Sequence, residues 1–546
     1  MIQAFGMTFS IKEEMIVKVL YKLRAASVVQ LTFALYPEDT PEDFPNQKER
    51  VSSKSRNKQI SRELKALEEK GVVEKWGSDK RSTKVRVKIG HKETTIEVIQ
   101  VSGVYSLTEF GYRVAVSPYF LDIPIERSQG SGWKGDEGYF PYSLYIPPRK
   151  QMNHFRYGVD TYILLNKASN EYGIGFDLRD NRYSKISYVD PDRKTKNKMA
   201  ELKPDGEFKL RYYETACKHF LLHETDSNYN EQTSITAHHN DTDSEKLSWL
   251  EIDMGGEDAD ELYKKLARYS KAYDYYSEGI NRADLQLADN VFFITDINAA
   301  SRYRTLLYAV VQGLGNWGTH LNLYVGNPSG INHLLASRCT EEALEQRFLH
   351  ASIRYWSWKG NLPFDRTAGI EWNNELQRYD FTFYSAATDK GKATQRDELI
   401  SELQSVMGYV PKFVLYKHPD SQKLFAFLFE RYNGLETRPI CRVYHFAANL
   451  KKIRYLSGVT DVVPVFYYDR MMPDVILSNL QIGSEEKLND YSDASRSGNL
   501  KYVTEIGSLF EKAIWYCVSN DRWFNKDHHA LSYAGNPLLG AINNRQ

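Results

Sequence analysis

The sequence predicts a multidomain chain of mixed α and β structure, α+β or α/β, on three observations. Its 546 residues exceed the roughly 100–200 of an ordinary domain and suffice for three or four. Hydrophobic residues make up 42% and charged residues 26%, a globular balance rather than that of a disordered or fibrous chain. Segments with apolar residues at helical spacing alternate with short β-branched and aromatic runs, and polar, Gly- or Pro-rich stretches separate them.

Lys+Arg and Asp+Glu both number 71, so the formal net charge is zero. That argues against a uniformly basic coat or an acidic tail and leaves local patches open. The four cysteines, Cys217, Cys339, Cys441 and Cys517, lie far apart without a CxxC. Neither a zinc ribbon nor a disulfide framework is expected, and a cytoplasmic, reducing location is. The N-terminus reaches Glu13 and Glu14 too soon for a signal peptide, and no apolar run is long enough for membrane insertion.

Ser10-Ile-Lys-Glu13 has capping-box spacing, and Ile16, Val19, Leu20 and Leu23 behind it predict a first helix to about Ala25. Ser27 caps a second helix carrying Val28, Leu31 and Leu35, and Pro37–Pro45 breaks the pattern. A third helix is expected from about Ser52, with Ile60, Leu64 and Leu67 on its apolar face and Gly71 at its end. Val72–Trp76, Lys84–Ile89 and Thr94–Val101 read as a hairpin or small sheet, and Tyr105–Gly111 opens a closing helix. Three helices followed by a charged hairpin is the order of a winged helix-turn-helix, expected over residues 1–116.

Charge supports DNA as its partner. Residues 51–92 hold 13 Lys/Arg against 5 Asp/Glu. Lys54, Arg56, Lys58, Arg62 and Lys65 fall on the third helix, off its apolar face, and Lys80, Arg81, Lys84, Arg86 and Lys88 on the hairpin. A basic helix suits the major groove while a basic wing tracks phosphates. The plainer reading is a solvated basic surface on a protein-binding module.

Residues 117–150, with Ser128–Gly135 followed by Pro141, Pro147 and Pro148, read as a linker. A second domain is expected over 151–318. A helix runs from Asn153 to Leu165, Tyr172–Leu178 and Tyr183–Val189 are strands, and Lys203–Tyr213 is a strand with Pro204-Asp205-Gly206 at its mouth. Residues 224–246 read as a polar disordered insertion, with the adjacent His238 and His239 as loop residues. Leu247–Gly255 is a strand with Leu250 and Ile252 on one face and Glu251 and Asp253 on the other. A helix follows, with Leu262, Leu266, Tyr269 and Tyr273 inward and Lys264, Lys265, Arg268 and Lys271 outward; then a strand, Val291–Thr295, and a helix, Ala299–Val311.

A Pro-Asp strand, a Glu-x-Asp strand and a lysine-bearing helix follow the layout of a restriction-endonuclease-like PD-(D/E)XK site with the lysine displaced. Asp205, Glu251 and Asp253 are the expected ligands of Mg²⁺ or Mn²⁺, hard cations that take oxygen donors. Such an ion would polarise a scissile phosphate, with Lys265 orienting water or neutralising charge. The plainer readings are ordinary strand-end carboxylates and a solvated helix lysine.

With His154 early in its helix, Pro204-Asp205-Gly206, and Glu251-x-Asp253-x-Gly255-x-Glu257 leading into Leu262-x-x-Lys265-x-x-x-Tyr269, residues 10–310 resemble the replication-relaxation family. That family is similar to MobC-type conjugative relaxases, whose catalytic domain is related to restriction endonucleases. The resemblance implies an origin-of-transfer DNA relaxase for plasmid or integrative-element mobilisation, acting on double-stranded and nicked DNA alongside coupling or accessory mobilisation proteins. It implies Asp205, Glu251 and Asp253 as metal ligands, Lys265 as the assisting cation and His154 as an orienting catalytic-site residue. The motif departs from the family by lacking its terminal lysine and by the insertion ahead of it.

Other chemistries find less support. The spaced histidine pair of common relaxases is missing, since His238-His239 and His528-His529 are contiguous, and no GxxxxGK[ST] occurs. Tyrosine, at 38 residues, is too abundant for the sequence to single out a nucleophile. Residues 319–546 are expected to form a C-terminal α/β domain of unassigned role. Gln395–Leu403 is a helix, Asp389–Lys392 a loop, and Phe413–Tyr416, Leu424–Phe429, Ile440–His445 and Val462–Tyr467 are strands. Arg354, Trp356, Trp358 and Lys359 fit either a clamp on single-stranded DNA or ordinary core. Two functions stand: a metal-dependent DNA-nicking relaxase, or a non-catalytic winged-helix DNA-binding protein that initiates or regulates plasmid replication.

Overall fold

The computed structural model describes residues 2–117, 141–212, 244–326, 369–382, 390–468 and 506–531, apart from short stretches within these ranges. The protein is a mixed α+β chain with two compact units, both discontinuous in sequence. Met1–Gly256, Asn281–Asp296 and Gly326–Ala336 form the first, and Glu257–Ile280, Ile297–Val325 and Ser337–Gln546 the second. These limits differ from those expected at 117, 151 and 319.

In the first unit, strands β1 (Ile2–Ala4) and β2 (Met7–Phe9) pair antiparallel ahead of helix α1 (Ile11–Leu23). The Ser10 hydroxyl accepts from Glu13 N–H at 3.1 Å and the Glu13 carboxylate accepts from Ser10 N–H at 2.7 Å, which satisfies two otherwise orphan amides. Strand β3 (Ala25–Ser27) leads into α2 (Val28–Leu35), closed by the same reciprocal bonds between Ser27 and Gln30. Helix α3 (Lys54–Glu69) ends at Gly71, whose φ of 70° is left-handed and favours glycine. Strands β4 (Val73–Ile89) and β5 (Lys92–Leu107) form a long antiparallel hairpin, and β3 adds to β5 to give the order β3-β5-β4. Helix α4 (Glu109–Ala115), capped by Thr108, closes this region. Ile16, Leu20, Leu31, Phe33, Ile60, Leu64, Leu67 and Leu107 are its buried centre.

Part of the stretch read as a linker is packed. Helix α5 (Tyr142–Tyr145) buries Tyr145 fully, and its hydroxyl reaches the carbonyls of Leu20 at 2.8 Å and Arg24 at 2.9 Å. Helix α6 (Met152–Tyr172) runs seven residues past the expected Leu165 and takes in the start of the expected Tyr172–Leu178 strand, which instead begins at Gly175. It docks on α2, where Gln30 Nε2 donates to Asp160 Oδ1 at 2.9 Å and Asn166 Nδ2 to Ala34 O at 2.9 Å. Strands β6 (Gly175–Asp180), β7 (Ile186–Val189), β8 (Met199–Leu202), β9 (Gly206–Tyr212), β10 (Ser244–Ile252) and β11 (Asn290–Ile294) follow. β7 and β8 pair separately, while β6, β9, β10 and β11 lie side by side, antiparallel except for the parallel β10–β11 pair. Of the expected insertion, residues 244–246 open β10 and the remainder, with His238 and His239, lies outside the described residues.

In the second unit, α7 (Ala259–Ser277) buries Leu262, Leu266, Tyr269 and Tyr273 and packs on α8 (Ala300–Gly313). Strand β12 (Asn322–Gly326) follows, then the hairpin of β13 (Gly369–Asn373) and β14 (Arg378–Thr382), and α9 (Lys390–Met407), which starts inside the expected Asp389–Lys392 loop. Strands β15 (Phe413–Lys417), β16 (Leu424–Arg431), β17 (Val459–Tyr468), β18 (Ile514–Cys517) and β19 (Arg522–Phe524) make a sheet in that order, parallel from β16 to β18 and antiparallel at its edges. Between β16 and β17 lies helix α10 (Arg438–Asn449), where the sequence was read as an Ile440–His445 strand. Pro439 in the first turn has a pre-set helical φ, and Ile440, Val443 and Phe446 bury one face at a spacing of three. Arg354, Trp356, Trp358 and Lys359 lie outside the described residues. Among the described residues no helix is long and apolar enough to cross a membrane.

Candidate functional site

Two features of the first unit carry chemistry: the basic surface of α3 with its hairpin, and a cavity between α1, α5, α6 and the sheet. On α3 the buried row of Ile60, Leu64 and Leu67 turns Lys58, Arg62 and Lys65 outward, all three exposed. Lys65 stands 4.0 Å from Glu69, a loose surface pair. Arg56 behaves differently. It pairs with Glu38 at 2.7 Å and Asp39 at 2.9 Å and lies over the Tyr36 ring, so it ties the segment after α2 to α3 while staying at the surface. Lys54 begins α3, and its side chain lies outside the described residues. Lys80, Arg81, Lys84, Arg86 and Lys88 occupy β4, in register with Val101, Gln100, Glu97, Thr95 and Glu93 of β5. Two of the five basic positions therefore face glutamate positions across the hairpin, which sequence spacing without a register did not reveal.

The expected metal ligands do not come together. Asp205 sits in the bend before β9, where its Oδ2 accepts from Ile252 N–H at 2.8 Å and lies 3.1 Å from His154 Nε2 in the first turn of α6. Its carboxylate thus shares the α6 side of the sheet with Leu250 and Ile252. Strand alternation sends Glu251 and Asp253 to the other face, both buried, with Asp253 Oδ2 accepting from the Thr295 hydroxyl at 2.7 Å. Among the described residues no group of three or more His, Cys, Asp or Glu side chains is arranged to hold a metal ion. The donor set Asp205, Glu251 and Asp253 therefore does not fit one Mg²⁺ or Mn²⁺, whose ligands must converge to about 2–2.6 Å. Lys265 lies in the second unit, 3.1 Å from Glu257, and has a carboxylate partner of its own.

The pair His154–Asp205 instead forms one wall of a cavity of about 400 Å³. Val159, Leu178, Leu250 and Ile252 supply an apolar wall, and Lys22, Arg24, Arg179 and Asp180 are also among the residues that line it. Arg24, which the sequence did not single out, organises the opposite side. Its guanidinium donates to the carbonyls of Leu144, Tyr145 and Ile146 at 3.0, 2.6 and 2.9 Å, stands 3.7 Å from Asp180 and lies over the Phe155 ring. Its φ of 66° is rare for a residue with a side chain. The only sequence signal for it was a cation at the end of an otherwise apolar helix face.

One spacing recurs. Glu251-x-x-x-Gly255-x-Glu257 at the end of β10 matches Glu430-x-x-x-Gly434-x-Glu436 at the end of β16. Each first glutamate is the penultimate residue of its strand, each second glutamate lies two residues ahead of a helix, and each strand has an antiparallel neighbour before it and a parallel one after it. In the later copy arginines hold both carboxylates: Arg442 lies 3.4 Å from Glu430, and Arg431 and Arg438 lie 3.4 and 2.8 Å from Glu436.

Comparison with protein-family models, curated proteins and solved structures gives no match.

Proposed function

We propose that the chain binds duplex DNA through its N-terminal region as a winged helix-turn-helix, with α3 in the major groove and the β4–β5 hairpin along the backbone. The observation that supports this reading is the element order α1-β3-α2-α3-β4-β5 around a β3-β5-β4 sheet, with Lys58, Arg62 and Lys65 exposed opposite the buried face of α3. Arg56 is left out of the contact set because Glu38 and Asp39 hold it. The test is fluorescence anisotropy of the full chain on labelled duplexes across a salt series. Each phosphate contact removed lowers the slope of log K against log salt by about 0.9, so Lys58→Gln with Arg62→Gln reduces it by about two. A slope unchanged by that double variant would remove α3 from the interface.

Metal-dependent strand nicking is the second reading, favoured by the buried Glu251 and Asp253 at the end of β10 and by the family resemblance. The carboxylate geometry weakens it. A supercoiled plasmid carrying an origin of transfer, incubated with Mg²⁺ or Mn²⁺, separates the two: a binding protein shifts it and a relaxase converts it to open circles. On the binding reading the chain is a cytoplasmic replication initiator or regulator, and the plasmid stays supercoiled.

A further inference from the structure

We propose that the outer surface of α7, where it meets α8, binds single-stranded nucleic acid, with a base stacked on Tyr263 and phosphates held by Lys264 and Arg268. Helix α7 carries successive rows at the spacing i, i+4, i+7, i+11. Leu262, Leu266, Tyr269 and Tyr273 are the buried row. The next row is Tyr263, Ala267, Ser270 and Asp274, and the one after it opens with Lys264 and Arg268. Tyr263 is 38% exposed. Its ring lies against that of Tyr308 on α8, with centroids 6.3 Å apart and planes 30° apart, so an aromatic pair is held at the surface. Gly313 lets α8 come this close, because a Cβ there would stand 2.9 Å from both Leu266 Cβ and Tyr263 O. At the far end of the same row the indole of the half-buried Trp317 donates to Asp274 at 2.6 Å, so that acid is already taken. Tyr263 and Asp274 stand about 16 Å apart along the helix axis, a length that spans several nucleotides. Lys264 and Arg268 are exposed, and among the described residues neither is paired with a carboxylate. Arg268 Nε donates to the Lys264 carbonyl at 3.3 Å, which keeps the two cations on one side of the helix. The acids of the first turn, Asp260 and Glu261, come before Tyr263, and Glu261 accepts from Asp258 N–H at 3.1 Å in the helix cap. An exposed ring beside two uncommitted cations fits an unpaired strand, in which every base offers a face and every phosphate a charge. A duplex keeps its base faces within its own stack, and an acidic peptide would use the cations and leave the ring idle. The strand is DNA or RNA, since stacking is tolerant of both. The surface lies in the second unit, and the inference does not rest on the duplex-binding reading.

The test is fluorescence anisotropy of the full chain with labelled oligothymidylate and oligouridylate of about 12 nucleotides, a length within the range that single-strand binders cover, across a salt series. Saturable binding of at least one strand is expected, and whichever binds tighter identifies the sugar preferred. Tyr263→Ala should weaken it about tenfold, the loss of one stacked base, while Tyr263→Phe, which keeps the ring, should bind as the native chain does. Lys264→Gln with Arg268→Gln should lower the slope of log K against log salt by about 1.4, or about 0.7 for each phosphate contact on a single strand. Both effects should persist when Lys58→Gln and Arg62→Gln are added. No binding of either strand, native affinity in Tyr263→Ala, a loss as large in Tyr263→Phe as in Tyr263→Ala, or a salt slope unchanged by the α7 pair overturns the proposal. So does competition by polyglutamate as strong as by unlabelled strand, or binding abolished by the α3 pair alone. No duplex enters this measurement, so its failure leaves duplex binding standing, and a failed duplex assay leaves the α7 surface standing.

Discussion

Replacing Arg24 by methionine isolates what one guanidinium contributes to the first unit. The residue is buried and its three hydrogen bonds fix the carbonyls of Leu144, Tyr145 and Ile146. Hydrogen bonds to a charged donor are worth about 1.5–3 kcal/mol each, but the three do not simply add. Ile146 is exposed and Leu144 half-buried, so water replaces the lost donor there, and only the bond to the buried Tyr145 carries its full value. The Asp180 contact, at 3.7 Å with a partly exposed carboxylate, adds less than about 1 kcal/mol. Methionine keeps the stem's packing on Phe155 and keeps the strained φ, so backbone strain cancels in the comparison. The net cost is about 3–4 kcal/mol. It falls on α5, which should open before the rest of the unit does. Hydrogen exchange over residues 141–146, read by mass spectrometry, should accelerate by roughly two to three orders of magnitude. Acceleration below about tenfold would show that Tyr145, rather than Arg24, holds the strap.

Other substitutions test separate parts of the argument. Gly158→Ala should stabilise the chain by about 0.5–1 kcal/mol through helix propensity, seen as a higher melting temperature. Gly111→Ala should destabilise it by about 3 kcal/mol or more, because a Cβ there would meet Val72 O; loss of hydrogen-exchange protection in α4 reads this out. Glu436→Gln removes the shared partner of Arg431 and Arg438 in a buried site, and a cost of about 3–5 kcal/mol is expected in the denaturation of the second unit. Burial, then the charges of Arg442 and Arg438, lowers the pKa of His320, and burial lowers that of His445 against a backbone bond at Gly315. The unfolded chain then binds more protons below the ordinary histidine pKa. The second unit should hold full stability above about pH 6.5 and lose it as pH falls below that value, and His320→Gln should flatten the slope.

What the sequence made legible was local. Ser10 with Glu13 and Ser27 with Gln30 cap helices through bonds between neighbours, and Ile60, Leu64 and Leu67 needed only helical periodicity to define a face. The fold class followed from such pieces. The misreadings came where local preference was ambiguous or where a distant partner decided. The β-branched and aromatic residues of Ile440–His445 read as a strand, yet Pro439 and the three-residue spacing of buried positions set a helix. Arg56 and Lys58 are alike in sequence, and only the packing of Tyr36, Glu38 and Asp39 distinguishes them. Alternation alone puts Glu251 and Asp253 on one side, but Asp205 belongs with them only if its bend turns that way; it bonds instead to Ile252 N–H and His154.

The recurring Glu-x3-Gly-x-Glu spacing refines the question of catalysis. Its second glutamate lies two residues ahead of a helix in both copies, where the positive end of the helix dipole favours a carboxylate. Glu257 and Glu436 therefore have a structural reason to be acidic, and neither counts toward a reaction. The first glutamate is also shared, and in the later copy Arg442 neutralises it, so a strand-end glutamate is compatible with a purely structural role. What the earlier copy has and the later lacks is the acid two residues on: Asp253 corresponds in spacing to Tyr432, a fully buried aromatic. The case for chemistry at this strand end thus concentrates on Asp253. If the chain nicks DNA, Asp253→Asn, which keeps an oxygen acceptor for the Thr295 hydroxyl, should abolish open-circle formation while leaving duplex binding intact. If nicking survives Asp253→Asn, the carboxylates of β10 serve the fold in both copies, and the reactive group lies elsewhere.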